Sequence, residues 1–317
     1  MISHNPQQFN NGYLPEQNGH KVYYAQYGDP NGTAILVCHG GPGDKIKPHH
    51  LNNYDLNKYH LIAFDQRGCG QSFPQGMIKN NTLKDLITDI ERLRKHLRII
   101  TWYVAGGSWG STVALAYAES YPSSVRGLLL SSIFLGRDRD VEWAFSKNNG
   151  IDRIFPDVLE ERKKFFAEYK TNQNNSARDL LKQLQTNKDK APAIAAGVMN
   201  WEGNLMSAQY DVKYLDPADV SEEDVNSVQI FLHYESNKFF LQENQLLNHI
   251  SIIKKIPTII VHGRYDLLCP MEQAWAVQKN LTNSEIIILP TSNHRLTTEG
   301  ELARKLAFTN FLLKHSK

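Results

Sequence analysis

One serine of the chain lies in a setting that suits a nucleophile. The motif Gly106-Gly107-Ser108-Trp109-Gly110 fits the pattern G-x-S-x-G and stands between an apolar run and a helical pattern at 111–122. A sharp strand-to-helix turn presents such a serine at the edge of a sheet, and the glycines leave room for it. An incidental serine in a glycine-rich turn is the alternative. The context favours Ser108 as a nucleophile.

A serine nucleophile needs a base, and the base needs an acid that orients it. Asp266 follows the apolar run 256–263, and His294 follows the apolar run 284–290. The carboxyl ends of parallel strands meet at one edge of a sheet, where catalytic groups collect. The order serine, acid, histidine is the one used on sheets of this kind. We therefore predict a triad of Ser108, Asp266 and His294.

Other histidines and acids compete for these roles. His39 and His262 also stand at the ends of apolar runs, and Asp216 and Asp219 are rival acids in a helical region. Only His294 follows both the serine and a well-placed acid in the chain.

Acyl transfer also requires hydrogen-bond donors for a negatively charged oxygen. A glycine-rich loop, HGGPG at 39–43, follows the first strongly apolar run. The backbone amides of Gly41 and Trp109 are the predicted pair of donors. A phosphate-binding loop is the alternative, but neither the P-loop nor the G-x-G-x-x-G spacing is present.

The elements around these residues predict an α/β fold with a mostly parallel sheet. Apolar runs at 33–40, 60–68, 101–108 and 126–134 alternate with helical patterns. Strands that are apolar throughout are covered by helices on both faces. From 137 to 251 the chain is rich in Lys, Glu, Asn and Gln and mostly helical in pattern, and the strand–helix alternation then returns.

Composition excludes several classes of protein. The 317 residues carry 35 Lys and Arg and 33 Asp and Glu, a formal charge of +2, which gives no argument for nucleic acid or acidic membranes as partners. Three cysteines without a CxxC pair argue against a disulfide framework or a zinc cluster. The first twenty residues lack the pattern of a signal peptide, which predicts a cytoplasmic protein.

Several further residues are expected to have structural roles and no part in catalysis. Asp65 and Arg67, which follow the second apolar run, are expected to form a local ion pair. Cys269 is expected to be a small buried hydrophobic residue. Trp143 and Trp201 are expected to pack against other side chains rather than to contact a ligand.

Taken together, the motifs resemble those of the prolyl iminopeptidases, serine peptidases of the α/β-hydrolase fold. The similar strings cover nearly the whole chain: HGGPG (39–43), DQRGCG (65–70), DIERLRKHL (89–97), GGSWGS (106–111), IFPD (154–157), WEG (201–203) and HGRYDLLCP (262–270). The resemblance implies release of proline from peptides with N-terminal proline, without metal or cofactor. It implies a hydrolase core at 1–136 and 252–317 and a helical cap at 137–251.

The resemblance also implies how the substrate is recognised. Glu202 matches a glutamate that binds the free amine, and Phe134 matches an aromatic residue that contacts the proline ring. Where the family commonly has a second glutamate this chain has Phe231, and where the family has an aromatic it has Glu235. Because these positions are one helical turn apart, we expect that Glu and Phe have exchanged places and that Glu235 joins the substrate site. Ser131 stands where the family has an arginine.

Two other functions remain open from the sequence. The same scaffold could carry an esterase, an amidase or another acyl hydrolase, which amine recognition by Glu202 would distinguish. A binding module without catalysis would predict a broken triad, and the residues of the triad are all present.

Overall fold

The computed structural model describes residues 8–145, 151–171, 176–207 and 212–315. The eight strands of these residues form a single sheet in the order β1-β2-β4-β3-β5-β6-β7-β8. The strands are β1 (Gln8–Tyr13), β2 (Tyr23–Gly28), β3 (Thr33–Cys38), β4 (Tyr59–Phe64), β5 (Trp102–Ser108), β6 (Val125–Ile133), β7 (Thr258–Gly263) and β8 (Ser284–Leu289).

The sheet is parallel from β4 to β8, and its first two strands are antiparallel. β3, β4 and β7 are buried along almost their whole length, because helices cover both faces. Two large apolar clusters lie on the two faces. The predicted mostly parallel α/β architecture is confirmed, and the antiparallel pair β1 and β2 is an addition that the apolar runs did not indicate.

The described helices occupy both faces and the long connection between β6 and β7. They are α1 (Pro48–Leu51), α2 (Leu83–His96), α3 (Trp109–Ser120), α4 (Asp138–Phe145), α5 (Pro156–Glu168), α6 (Ser176–Thr186), α7 (Ala191–Met206), α8 (Glu222–Ser236), α9 (Gln245–His249), α10 (Met271–Asn280) and α11 (Thr298–His315). Among the described residues, none of these helices has the length and apolar character that crossing a bilayer requires.

The connection between β6 and β7 has apolar packing of its own. Leu180 and Leu184 on α6, Ile194 on α7 and Leu232 on α8 belong to a third apolar cluster, separate from the two on the sheet. A segment of this length that buries its own core can form a stable layer over one edge of the sheet.

Helix α8 rests directly on two glycines of the sheet layer. A side chain at Gly43, whose φ is +102°, would place its Cβ 2.3 Å from the carbonyl oxygen of Ser227 on α8. A Cβ at Gly76 would lie 2.3 Å from Oδ1 of Asn226, and the side chain of Gln229 donates to the carbonyl of Gly76 at 2.6 Å. The backbone of α8 at Ser227 and the side chain of Asn226 can approach this closely only because Gly43 and Gly76 lack side chains.

The ion pair expected between Asp65 and Arg67 does not form. Arg67 pairs with Asp89 of α2 instead, with 2.5 Å between Nε and Oδ2, and both side chains are buried. Asp65 accepts the backbone amides of Ile46 and Gln71 at 2.9 and 2.8 Å. The chain has left β4 at Phe64 and turns at Arg67 and Gly68, so the alternation of a strand no longer holds and the two side chains separate.

Candidate active site

The turn after β5 holds Ser108 in the backbone geometry of a nucleophile elbow. Its φ of 56° and ψ of −131° are unusual for a residue with a side chain. A Cβ at Gly106 would lie 2.1 Å from the carbonyl oxygen of Gly110, and a Cβ at Gly110 would lie 2.3 Å from that of Cys38. The strand and the helix therefore pack backbone to backbone on both sides of the serine.

His294 and Asp266 lie together at the same edge of the sheet. Nδ1 of His294 is 2.9 and 3.0 Å from the two carboxylate oxygens of Asp266, and the amide of Cys269 donates to Oδ1 of Asp266 at 2.8 Å. Burial disfavours the ionised carboxylate, but His294 and these donors outweigh it and lower the pKa of Asp266 below its usual value.

Ser108 and His294 line one cavity of about 270 Å³, together with Gly41. The structure thus brings all three residues of the predicted triad to one edge of the sheet.

The two rival histidines are buried and bonded to other groups, although Nε2 of His262 also lies 3.5 Å from Oδ2 of Asp266. His39 is fully buried, and its Nε2 accepts the amide of Gln66 at 3.0 Å. His262 is also fully buried, accepts the amide of Ile133 on Nδ1 at 3.1 Å and bonds the carbonyl of Cys269 through Nε2 at 2.8 Å. Burial lowers the pKa of both imidazoles, so both are neutral. The rival acids Asp216 and Asp219 flank a short 3₁₀ turn between α7 and α8.

The glycine-rich loop after β3 passes close to the nucleophile. A Cβ at Gly40 would lie 3.6 Å from the Cβ of Ser108, and Gly41 adopts a φ of +106° that favours glycine. Trp109 is the first residue of α3, where amide groups have no partner within the helix. Both predicted donors therefore lie beside Ser108.

Side-chain hydrogen bonds connect the loop to the nucleophile turn. The indole Nε1 of Trp109 donates to Oε1 of Gln66 at 2.8 Å, and Nε2 of Gln66 donates to the carbonyl of His39 at 2.9 Å. Gln66 therefore fixes the loop relative to α3. The sequence did not single it out, although it lies in the DQRGCG string.

A second and much smaller cavity, of about 20 Å³, opens beside Ser108 and Gly41. Its walls include Phe134, Phe239, Phe231, Glu202 and Cys269. The rings of Phe134 and Phe239 meet edge to face, with centroids 4.9 Å apart. The cavity is thus an aromatic slot with one carboxylate. Phe134 and Glu202 lie where the sequence expected them, and Phe239 was missed.

Cys269 is buried as expected, but it also lines this slot. Its thiol interacts with the side chain of Ser108, and burial raises the pKa of the thiol well above its usual value. Single ligand atoms of Asp266, Cys269 and His294 lie within 4.8 Å of one another. A protonated thiol is a poor metal ligand and Nδ1 of His294 is already bonded to Asp266, so hydrogen bonding explains this cluster.

Behind the slot, two carboxyl groups lie near one guanidinium. Glu202 also lines a neighbouring cavity with Glu235 and Arg162. Burial and the charge of Glu235 raise the pKa of Glu202 to about 8, and burial raises that of Glu235 to about 7. Burial lowers the pKa of Arg162 to about 10 despite the two carboxylates.

Arg162 is held in place by its neighbours. Its Nη2 donates to the carbonyl of Phe145 at 2.7 Å, and its guanidinium lies 4.1 Å from the ring centroid of Trp201. The indole of Trp201 donates to the carbonyl of Ala144 at 2.8 Å, as expected of a packing residue. Glu235 lies among the residues behind the slot, whereas Phe231 lines the slot itself.

Comparison with known proteins agrees with this geometry. The α/β hydrolase fold family matches residues 33–299. Solved structures of similar fold include a carboxylesterase from Nitrososphaera gargenis (TM-score 0.64, 17% identity, 96% of this chain and 99% of that one) and an epoxide hydrolase from Vigna radiata (TM-score 0.61, 18% identity, 96% and 98%). The chain therefore belongs to the α/β hydrolases.

Relatives at higher identity define the family more narrowly. A probable proline iminopeptidase of Leptolyngbya boryana is 37% identical over 305 residues, covering 95% of this chain and 94% of the relative. The proline iminopeptidase of Arabidopsis thaliana is 36% identical over 310 residues, covering 96% and 80%. The chain is a member of the proline iminopeptidase family, as the sequence motifs indicated.

Proposed function

We propose that the chain is a serine aminopeptidase that releases N-terminal proline from peptides. The observation that carries the proposal is the position of Glu202 in an aromatic slot that also contains Ser108. A carboxylate at the closed end of a slot recognises a free, positively charged amine, and the rings contact an apolar pyrrolidine ring. An esterase without amine recognition has no use for a carboxylate at this place.

The proposed reaction follows the triad template. Ser108 attacks the acyl carbon of the first residue while His294 takes the proton of the hydroxyl. Asp266 holds the imidazole in the required orientation and stabilises its charged form. The amides of Gly41 and Trp109 bind the oxyanion. His294 then donates its proton to the leaving amine, and water hydrolyses the acyl-enzyme with His294 as base.

We assign Glu202 and Glu235 different parts in amine recognition. Glu202 faces the slot and binds the amine directly. Glu235 lies behind it, near Arg162, and acts on the charge of Glu202 rather than on the substrate. The exchange of Glu and Phe thus places an aromatic ring, Phe231, in the slot and keeps a second carboxylate one layer away.

The division of the chain follows from the same arrangement. We propose that 1–136 and 252–317 form the catalytic core and that 137–251 form the cap. Glu202, Phe231 and Glu235, which would select the substrate, all lie on helices of the cap, α7 and α8. Ser108, Asp266 and His294 all lie in the core.

Hydrolysis of proline p-nitroanilide beside its N-acetylated form tests the proposal. We expect rapid release from the free amine, little from the acetylated anilide, and a loss of at least about 10⁴-fold in kcat for Ser108→Ala. The control is Ser120→Ala, a change at the last residue of α3. Equal rates on the two anilides, or hydrolysis of p-nitrophenyl acetate alone, would instead support an acyl hydrolase with a different specificity.

A further inference from the structure

The two cavities that meet at Ser108 and Gly41 differ in charge. The aromatic slot has a carboxylate, Glu202. The larger cavity is lined by the cationic side chains of Lys47, Arg295 and Arg304. If the amine end of a peptide occupies the slot, the chain beyond the scissile bond must extend into the larger cavity.

Most charges around the larger cavity are already balanced. Lys47 pairs with Asp44, with 2.8 Å between Nζ and Oδ1. Burial lowers the pKa of His49, and it lowers that of His50 to about 3, so these imidazoles are neutral at neutral pH. Glu301, exposed at the start of α11, also borders the cavity.

Arg304 on α11 is the exception. Its Nε donates to Oδ1 of Asn53 at 3.2 Å, and no carboxylate of the described residues reaches its guanidinium as an ion pair. The amide nitrogen of Asn53 donates to the carbonyls of His49 and His50 at 3.3 and 3.4 Å, which turns the Asn53 oxygen toward Arg304. The guanidinium is therefore oriented, and both of its terminal nitrogens remain to donate.

An oriented guanidinium with two available nitrogens suits one kind of ligand. It binds a carboxylate through two parallel hydrogen bonds, which a single ammonium cannot do. Burial lowers the pKa of Arg304, yet arginine keeps its charge at neutral pH. Glu301, one turn earlier on α11, favours the charged guanidinium but forms no ion pair with it, so an anionic substrate group would stabilise this half-buried cation further.

We propose that Arg304 binds the C-terminal carboxylate of the substrate, so that the enzyme prefers dipeptides and tripeptides with a free C-terminus. This inference rests on the proposed aminopeptidase activity. Ser108 and Arg304 line the same cavity, so only a short leaving group spans the distance between them. The substrate then lies with its amine at Glu202 and its carboxylate at Arg304.

The test compares each peptide with its C-terminal amide. For Pro-Ala and Pro-Ala-Ala, the ratio of kcat/KM for the acid over kcat/KM for the amide should be at least about tenfold for one of the two lengths, which corresponds to about 1.4 kcal/mol. This comparison uses the unaltered protein, so it does not depend on the folding of a variant. Ratios near one for both lengths would overturn the inference.

Variants of Arg304 then test whether this residue causes the preference for a free C-terminal carboxylate. Arg304→Gln should bring the ratio of acid to amide close to one, and Arg304→Lys should retain part of it, since it keeps the charge but not the two-pronged geometry. Lys305→Gln is the matched control, because it removes one positive charge from an exposed neighbouring position on α11. A preference that survives Arg304→Gln, or that falls equally in Lys305→Gln, would overturn the role of Arg304.

Hydrolysis of proline p-nitroanilide distinguishes a failure of the Arg304 proposal from a failure of the proposed aminopeptidase activity. Its leaving group has no carboxylate, so its hydrolysis reports on the aminopeptidase activity alone. Rapid release from the anilide with equal rates on acids and amides would overturn only the role of Arg304. Absence of release from the anilide and from both peptides would overturn the proposed function and this inference together.

Discussion

Asp266 holds His294 with both of its carboxylate oxygens, at 2.9 and 3.0 Å from Nδ1. This contact requires the proton on Nδ1 and leaves Nε2 as the basic nitrogen. The same carboxylate accepts the amide of Cys269, so its position is set by the turn after β7 rather than by the histidine. The imidazole is thus oriented by a group that is itself fixed by backbone.

Replacing Asp266 by Asn should separate orientation from folding. An amide of the same shape fills the site but no longer stabilises the Nδ1–H form, and we expect kcat to fall by about 10⁴-fold. Steady-state kinetics on proline p-nitroanilide measures the loss, and circular dichroism checks the fold. A decrease of less than about tenfold in a folded Asp266→Asn variant would contradict the role assigned to this residue.

The raised pKa of Glu202 predicts a pH dependence of substrate binding. A carboxyl group with a pKa of about 8 is largely protonated at pH values well below that point and binds an ammonium group poorly. We therefore expect kcat/KM for proline p-nitroanilide to rise from about pH 6 to pH 8 and this rise to become smaller in Glu202→Gln, where only the other ionisations of enzyme and substrate contribute to it. The variant should also show a KM raised by at least about tenfold, because a charged hydrogen bond is lost.

Replacing Glu235 should shift the pH profile of kcat/KM in a predictable direction. Its negative charge raises the pKa of Glu202, so Glu235→Gln should move the rising part of the profile to lower pH. A direct contact with the substrate amine would instead raise KM at every pH without moving the profile. Measuring kcat/KM over the pH range in both variants distinguishes these outcomes.

Glu202 should also affect the free energy of unfolding, with the opposite sign to a carboxylate whose pKa is lowered by folding, such as Asp266. In the folded chain Glu202 retains a proton between its ordinary pKa of 4.5 and about 8, whereas the unfolded chain loses it. The free energy of unfolding therefore falls as pH rises through this range. Urea unfolding at several pH values should show a smaller fall for Glu202→Gln, and an equal fall in both proteins would contradict the raised pKa.

Two glycines predict opposite effects of the same substitution. Gly110→Ala should lower stability strongly and prevent normal packing of α3, because the new Cβ would lie 2.3 Å from the carbonyl oxygen of Cys38. Gly203→Ala in α7 meets nothing within 4 Å and should raise stability by up to about 1 kcal/mol through helix propensity. Thermal unfolding of the two variants measures both changes, and similar shifts would refute this account.

The buried pair of Arg67 and Asp89 should be costly to break. Asp89→Ala leaves an arginine that is 1% exposed with only Asp85 as a counter-ion, at 3.3 Å, and we expect a loss of about 3–5 kcal/mol. Lys163→Ala, which removes an exposed pair with Glu160, is the control and should change little. Urea unfolding compares them, and equal losses would show that burial does not decide the cost.

The sequence was most informative where chemistry and backbone geometry coincide. The positions of Ser108, Asp266 and His294 follow from their places after apolar strands, since parallel strands bring such positions to one edge. The helix at 82–97 could also be located, because Thr82 and Asp85 form the reciprocal hydrogen bonds of a capping box. In these cases a short stretch of sequence is compatible with only one local structure.

Other features depend on contacts that no local pattern encodes. β1 is polar and exposed at the edge of the sheet, so its strand character comes from pairing with β2 rather than from its residues. Arg162 and Arg304 lie on helices where arginine is ordinary, and only the packing of other elements around them gives them their surroundings. The pairing of Arg67 with Asp89 likewise required the position of α2.

The contact between Gly43 and the carbonyl of Ser227 has a consequence for how such an enzyme can be altered. The glycine-rich loop at 39–43 and α8 meet through their backbones, so a shift of one changes the position of the other. Changes of specificity by design should therefore succeed best on α7, which carries Glu202 and takes no part in this contact. Randomising α8 beside the loop would alter catalytic rate and substrate selectivity together. In a library of such variants the two effects could not be separated.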